Sequence, residues 1–147
     1  MTRTEQEIEE LAGDLIGDPR VQRMKRFIQH GRVTTFEHSL HVARLALLLT
    51  EKLGIHADKR SLVRTAILHD YYLYDWHDHH DHLHGCHHPF IASRNAKRDF
   101  HITPEEQAMI ESHMWPLTLR HLPHGREAWI LTLADKIASM EETLWER

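Results

Sequence analysis

The sequence predicts an all-α domain, a single bundle of about six to seven helices, on three observations. Apolar residues recur at three- and four-residue spacing through most of the chain. Helix-start signals precede several of these stretches. No segment alternates apolar and polar residues with the period of two that a half-buried strand needs.

The elements follow in order. Glu5 to Ile16 places Ile8, Leu11, Leu15 and Ile16 at helical spacing, and "GDP" (17–19) breaks the run. Val21 to Gln29 reads as a second helix, with Met24, Phe27 and Ile28 on its apolar side. "HGRVTT" is a turn in which Thr34 or Thr35 caps a helix that runs through "FEHSLHVARLALLLTEKL" and stops at Gly54. Asp58 to about Leu73 is expected to be helical, with Leu62, Val63, Ala66, Ile67 and Leu73 inward. A histidine-rich connection (76–88) lacks apolar periodicity until Pro89, which suits the first position of a helix reaching about Asp99. "TPEE" carries a capping box, Thr103 with Glu106, and Pro104 at the first helical position. Pro116 and "LPHG" interrupt the chain before a last helix, Arg126 to about Trp145. With no repeat and no linker-like composition, residues 1–147 are read as one domain.

Composition narrows the function classes. Of 147 residues 41% are hydrophobic and 27% charged, as in soluble globular proteins, and no apolar run is long enough to cross a bilayer. The net charge of −4 disfavours a nucleic acid polymer as partner. The single cysteine, Cys86, excludes an internal disulfide and suits a reducing cytoplasm; nothing around it supports nucleophilic catalysis. The basic run at 20–26 reads as a solvated helix face.

The outlier is histidine, with sixteen copies, seven of them within "WHDHHDHLHGCHHPF" (76–90). The more informative polar residues lie on apolar faces elsewhere. His38 is continued at helical spacing by Val42, Leu45, Ala46 and Leu49. His69 and Asp70 follow Ala66 by three and four residues, and His113 follows Met109 by four. Asp135 follows Leu131 by four. One inward histidine is ordinarily a hydrogen-bonded core residue, but inward carboxylates are costly unless compensated. Several such groups on separate helices require one another or a cation, and imidazole with carboxylate suits Fe, Mn, Co, Ni or Zn.

This arrangement resembles the HD superfamily of metal-dependent phosphohydrolases: His38 on one helix, the dipeptide His69-Asp70, and the late Asp135. "FIQHG", "HSLHVA", "ILHDYYLYDW", "LHGCHHPF", "ESHMWPL" and "AWILTLADK" extend the resemblance to a small stand-alone bacterial group of such proteins, over nearly the whole chain. It implies two divalent metal ions, one held by His38, His69, Asp70 and Asp135. Asp70 would bridge to a second held by His88 and His113, with His87 as an alternative ligand and His84 in support. A single metal, with His88 and His113 serving substrate phosphate or proton transfer, is the other layout. The implied reaction is attack of a metal-activated hydroxide on the phosphorus of a small, nucleotide-like phosphomonoester or phosphodiester. Asp70 and Lys136 are the catalytic candidates. Lys136, His30 and Arg94 are the substrate-binding ones, with Arg64 a weaker candidate. Tyr71, Tyr72, Tyr74 and Trp76 either wall a pocket or fill core, and the remaining loop histidines ring the site. The rivals are a mixed-valent diiron oxygenase of the same superfamily and a non-enzymatic metal-binding or sensing protein. A monomer or homodimer, with neither membrane nor nucleic acid partner, completes the expectation.

Overall fold

The computed structural model describes residues 1–71 and 84–145, without the side chains of 84–86. Among the described residues seven helices carry the fold, and the one sheet is a two-stranded hairpin. Helix α1 (Arg3–Ile16) starts on a capping box between Thr2 and Glu5. A one-turn α2 (Pro19–Gln22), capped by Asp18, runs into a 3-10 turn at Arg23–Arg26. Strands β1 (Ile28–His30) and β2 (Val33–Thr34) pair antiparallel. Then come α3 (Thr35–Lys52), α4 (Lys59–Leu68), α5 (His84–Phe100), α6 (Pro104–Glu111) and α7 (Arg126–Trp145).

Several starts and stops have the expected causes. Thr34 accepts the Glu37 N–H at 3.1 Å to cap α3, and Gly54, at φ 62°, closes it in a conformation that costs glycine little. Thr103 and Glu106 form the capping box of α6.

The expected helix from Val21 to Gln29 is corrected. Phe27 is extended (φ −118°, ψ 136°) and Gly31 turns the chain at φ 55°, so the second half is a hairpin. Its pattern is inverted, with Gln29 buried and Ile28 36% exposed, which hides a strand from any hydrophobic reading. Helix α4 ends at Leu68, not near Leu73: the Tyr71 N–H bonds the Leu68 carbonyl at 3.0 Å and tightens the chain into a turn at His69-Asp70. Pro89 lies inside α5, which begins at His84, so His84–His88 are helical, not loop. The proline leaves the Gly85 carbonyl without its intrahelical bond, a gap one turn from the helix start. Of the histidine-rich connection, 76–83 lies outside the described residues, as do Tyr72 and Tyr74.

Helix α3 packs along both α4 and α7. Ala43 and Ala46, Ala66, and Ala134 and Ala138 are all fully buried. Such small side chains let the three backbones approach, so that groups as short as aspartate and histidine can meet across them.

Candidate metal centre

Six of the sequence-derived residues converge. His38 comes from the first turn of α3, His69 and Asp70 from the turn after α4, and Asp135 from the middle of α7. All four are buried. His38 Nε2 lies 3.0 Å from Asp135 Oδ1 and 3.3 Å from Asp70 Oδ2. His69 Nε2 lies 3.3 and 3.2 Å from the same two oxygens. Ligand atoms of the four fall within 4.8 Å of one another, a spread one cation can fill.

The other carboxylate oxygen of Asp70 faces a second group. Asp70 Oδ1 is 3.1 Å from Nε2 of His88, on α5, and 3.5 Å from Nε2 of His113, just past α6. The two imidazole nitrogens are 3.0 Å apart. Asp70 thus presents Oδ2 to one group and Oδ1 to the other, so one carboxylate is shared between them.

Which ring nitrogen carries the proton decides what these contacts mean. His69 and His113 each sit just beyond a helix end and turn Nδ1 back to the carbonyl three residues earlier, Ala66 and Ile110. His38 directs Nδ1 to Glu142 Oε1 at 2.8 Å. A carbonyl or carboxylate accepts only, so all three Nδ1 atoms are protonated, and each ring, when neutral, turns a lone pair on Nε2 toward the cluster. Lone pairs facing carboxylate oxygens at 3.0–3.5 Å repel unless a proton or a cation lies between.

In the metal-free protein, protons serve in the first group. Burial alone would lower His38, but the carboxylates of Asp135, Asp70 and Glu142 raise it well above the ordinary histidine range. Burial likewise opposes, and Asp70 and Asp135 outweigh it, for His69, raised to about 10. Asp135 is held well below the carboxylate range, against burial, by the same two histidines, and Asp70 by His69, His113 and His38. His113 differs, since burial pulls it down and it stays neutral. Asp70 Oδ1 is buried with no hydrogen-bond donor on it, an unmet acceptor of the kind a cation satisfies. Donor set, tautomers and orphaned oxygen all fit divalent metal ions of the Fe, Mn, Co, Ni or Zn type.

Two supports were not foreseen. Glu142, fully buried, accepts from Nδ1 of His30 (2.9 Å), His38 (2.8 Å) and His41 (2.7 Å), and these contacts hold its carboxyl far below the ordinary range despite burial. It lies seven residues after Asp135, two turns along the same face of α7, and that spacing was the available signal. Gln29, on β1, donates from Nε2 to Asp70 Oδ2 at 3.0 Å. Its signal was hidden with the hairpin.

The remaining candidates spread outward. Lys136 and His30 line a cleft of about 620 Å³ beside the cluster, together with Asp135, Met114, Leu117 and Ser139. Lys136 Nζ donates to the His113 carbonyl at 3.3 Å, and partial burial lowers its pKa against the pull of Asp135. His30 is tied to Glu142 while one side meets the cleft. Arg94 is exposed on α5 and does not line this cleft. Arg64 is engaged by Asp14 at 2.7 Å. Tyr71 is core: fully buried, it donates to Asp99 Oδ2 at 2.7 Å and meets Phe100 edge-on. The side chains of His84 and Cys86, and all of Trp76, lie outside the described residues.

No helix among the described residues is long and apolar enough to cross a membrane. Comparison with curated proteins and with solved structures returns no significant match. Residues 35–140 match the model of the HD domain, and the chain belongs to that family, whose members are mostly metal-dependent hydrolases.

Proposed function

We propose that this protein hydrolyses a phosphate ester of a small, nucleotide-like molecule with the help of two divalent metal ions. The observation that carries the reading is Asp70, whose two oxygens face separate histidine groups while one of them has no hydrogen-bond donor. His38, His69, Asp70 and Asp135 would hold one ion and Asp70, His88 and His113 the other. When bound, such a pair lowers the pKa of a water it shares and draws charge from phosphoryl oxygens.

The chain's own residues supply position and charge around that pair. Gln29 fixes the Asp70 carboxylate from behind, and Glu142 fixes the His38 ring with Nε2 toward the cluster. Lys136, at the wall of the cleft, offers an ammonium to an anionic substrate group. The cleft volume suits a small molecule, not a polymer.

The test is a panel of phosphomonoesters and phosphodiesters given to protein loaded in turn with Fe, Mn, Co, Ni and Zn, as wild type and as Asp70→Asn. Release of phosphate or of a phosphomonoester by the wild type, lost in the variant, is the expected result. Oxygen consumption without phosphate chemistry, or equal rates in the two proteins, would contradict it.

A further inference from the structure

Helix α7 is apolar on two opposite sides. Its inner side supplies Ala128, Leu131, Ala134 and Ala138 to the core beside Asp135 and Glu142. Its outer side bears Trp129 (43% exposed), Leu133 (45%), Met140 (59%) and Leu144 (56%). At 3.6 residues per turn these four fall within an arc of about 60° and form one stripe along the helix. A helix apolar on both sides is normally covered on both.

The order of the stripe says what would cover it. Trp129 and Leu144 lie equally far from the midpoint between Lys136 and Ile137, and so do Leu133 and Met140. An antiparallel copy of α7, related by a twofold axis through that midpoint, would set Trp129 against Leu144 and Leu133 against Met140, twice over. A twofold contact requires this self-complementarity, in which residue i meets j and j meets i. The area agrees. With the adjoining Leu117, 57% exposed, the stripe offers on the order of 500 Å² of apolar surface. That is close to the apolar share of the roughly 800 Å² each partner gives to a standard-size protein–protein interface. Lys136, midway along the helix, is no obstacle, because its Nζ turns to the His113 carbonyl.

We infer that a second copy of this chain docks on the outer face of α7, forming a twofold dimer with antiparallel α7 helices. Because Leu117 and Lys136 also line the cleft beside the histidine cluster, the two clefts would flank this seam.

Sedimentation equilibrium of the full chain tests it. The wild type is expected at about twice 17.4 kDa in the micromolar range. Leu133→Glu should dissociate at least tenfold more readily, with an unchanged far-ultraviolet circular dichroism spectrum showing that it is folded. Adding Met140→Lys to Leu133→Glu should recover association at least tenfold over Leu133→Glu alone, because the axis sets those positions face to face. A wild type monomeric at about 100 μM, an undiminished Leu133→Glu dimer, or a double variant no stronger than Leu133→Glu would overturn the inference. So would a monomer that binds anionic vesicles through Trp129, since the stripe would then serve a lipid surface.

Discussion

The two histidine groups that share Asp70 are balanced differently. In the group on α3, α4 and α7, two imidazoles face two carboxylates and a third, Glu142, stands behind His38. Protons on His38 and His69 can therefore hold that group together without metal. In the group on α5 and α6, two imidazole nitrogens 3.0 Å apart share one oxygen of Asp70, and burial keeps His113 neutral. The first group is a compensated charge cluster that a metal would enter by displacing protons. The second sets two imidazole nitrogens on one carboxylate oxygen, with a lone pair on His113 Nε2, an arrangement that a cation from outside would complete. The pair teaches that one buried carboxylate can be charge-balanced on one oxygen and unmet on the other, and function is sought at the unmet one.

The largest expected effect comes from removing the shared element. Asp70→Asn keeps the shape but replaces one oxygen by a donor facing histidine nitrogens, so neither group retains its charge balance. Hydrolysis should fall by about 10³-fold or more, and bound metal should drop, as read by steady-state kinetics and elemental analysis. Glu142→Gln comes next. It leaves three histidine Nδ1–H groups competing for a single amide oxygen and frees the His38 ring to turn. Metal affinity or activity should fall about 10- to 100-fold, with the loss centred on the first group, as competition with a chelator would read.

The difference in balance also gives a sign for pH. His69 is raised, so its stabilisation of the metal-free fold is complete below about 6.5 and lost as pH climbs through about 10. Asp70 and Asp135 are lowered, so theirs is present above about 3.8 and lost as pH falls through their depressed values. Thermal melts of chelator-treated protein should therefore peak on the acid side of neutrality. Metal uptake should release protons and strengthen by up to about tenfold per pH unit for each proton displaced, as calorimetry in buffers of different ionisation enthalpy would measure. Smaller still is Lys136→Met, expected to raise KM about tenfold with kcat little changed, the pattern of a group that holds substrate and transition state alike. Outside both groups, Arg64→Ala removes a partly exposed ion pair with Asp14 and should cost less than about 1 kcal/mol in denaturant titration.

The same physics explains how much was legible in the sequence. His38, His69, Asp70, His113 and Asp135 stood out because each interrupts an apolar face, and a buried charge needs a reason. His88 was reached through family resemblance alone, since its neighbourhood has no apolar period. Gln29 escaped because the β1–β2 hairpin buries a polar residue and exposes Ile28, so the pattern points the wrong way. Glu142 lies beyond the residues that match the family and was passed over, although its two-turn spacing from Asp135 placed it on the inward face. Arg94 illustrates the limit on the other side, because charge alone does not say which face a side chain takes. The turn at His69-Asp70 was read as helix because Leu73 continues the period; the Tyr71 N–H bond to Leu68 tightens the backbone there.

Whether Asp70 joins two cation sites is read by elemental analysis of the purified protein, reconstituted and then freed of loosely bound metal. Two metal ions are expected per wild-type chain, one in a His88→Ala, His113→Ala double variant whose His38 group is intact, and none to one in Asp70→Asn. A wild type that retains one ion, with the double variant retaining the same, would contradict it.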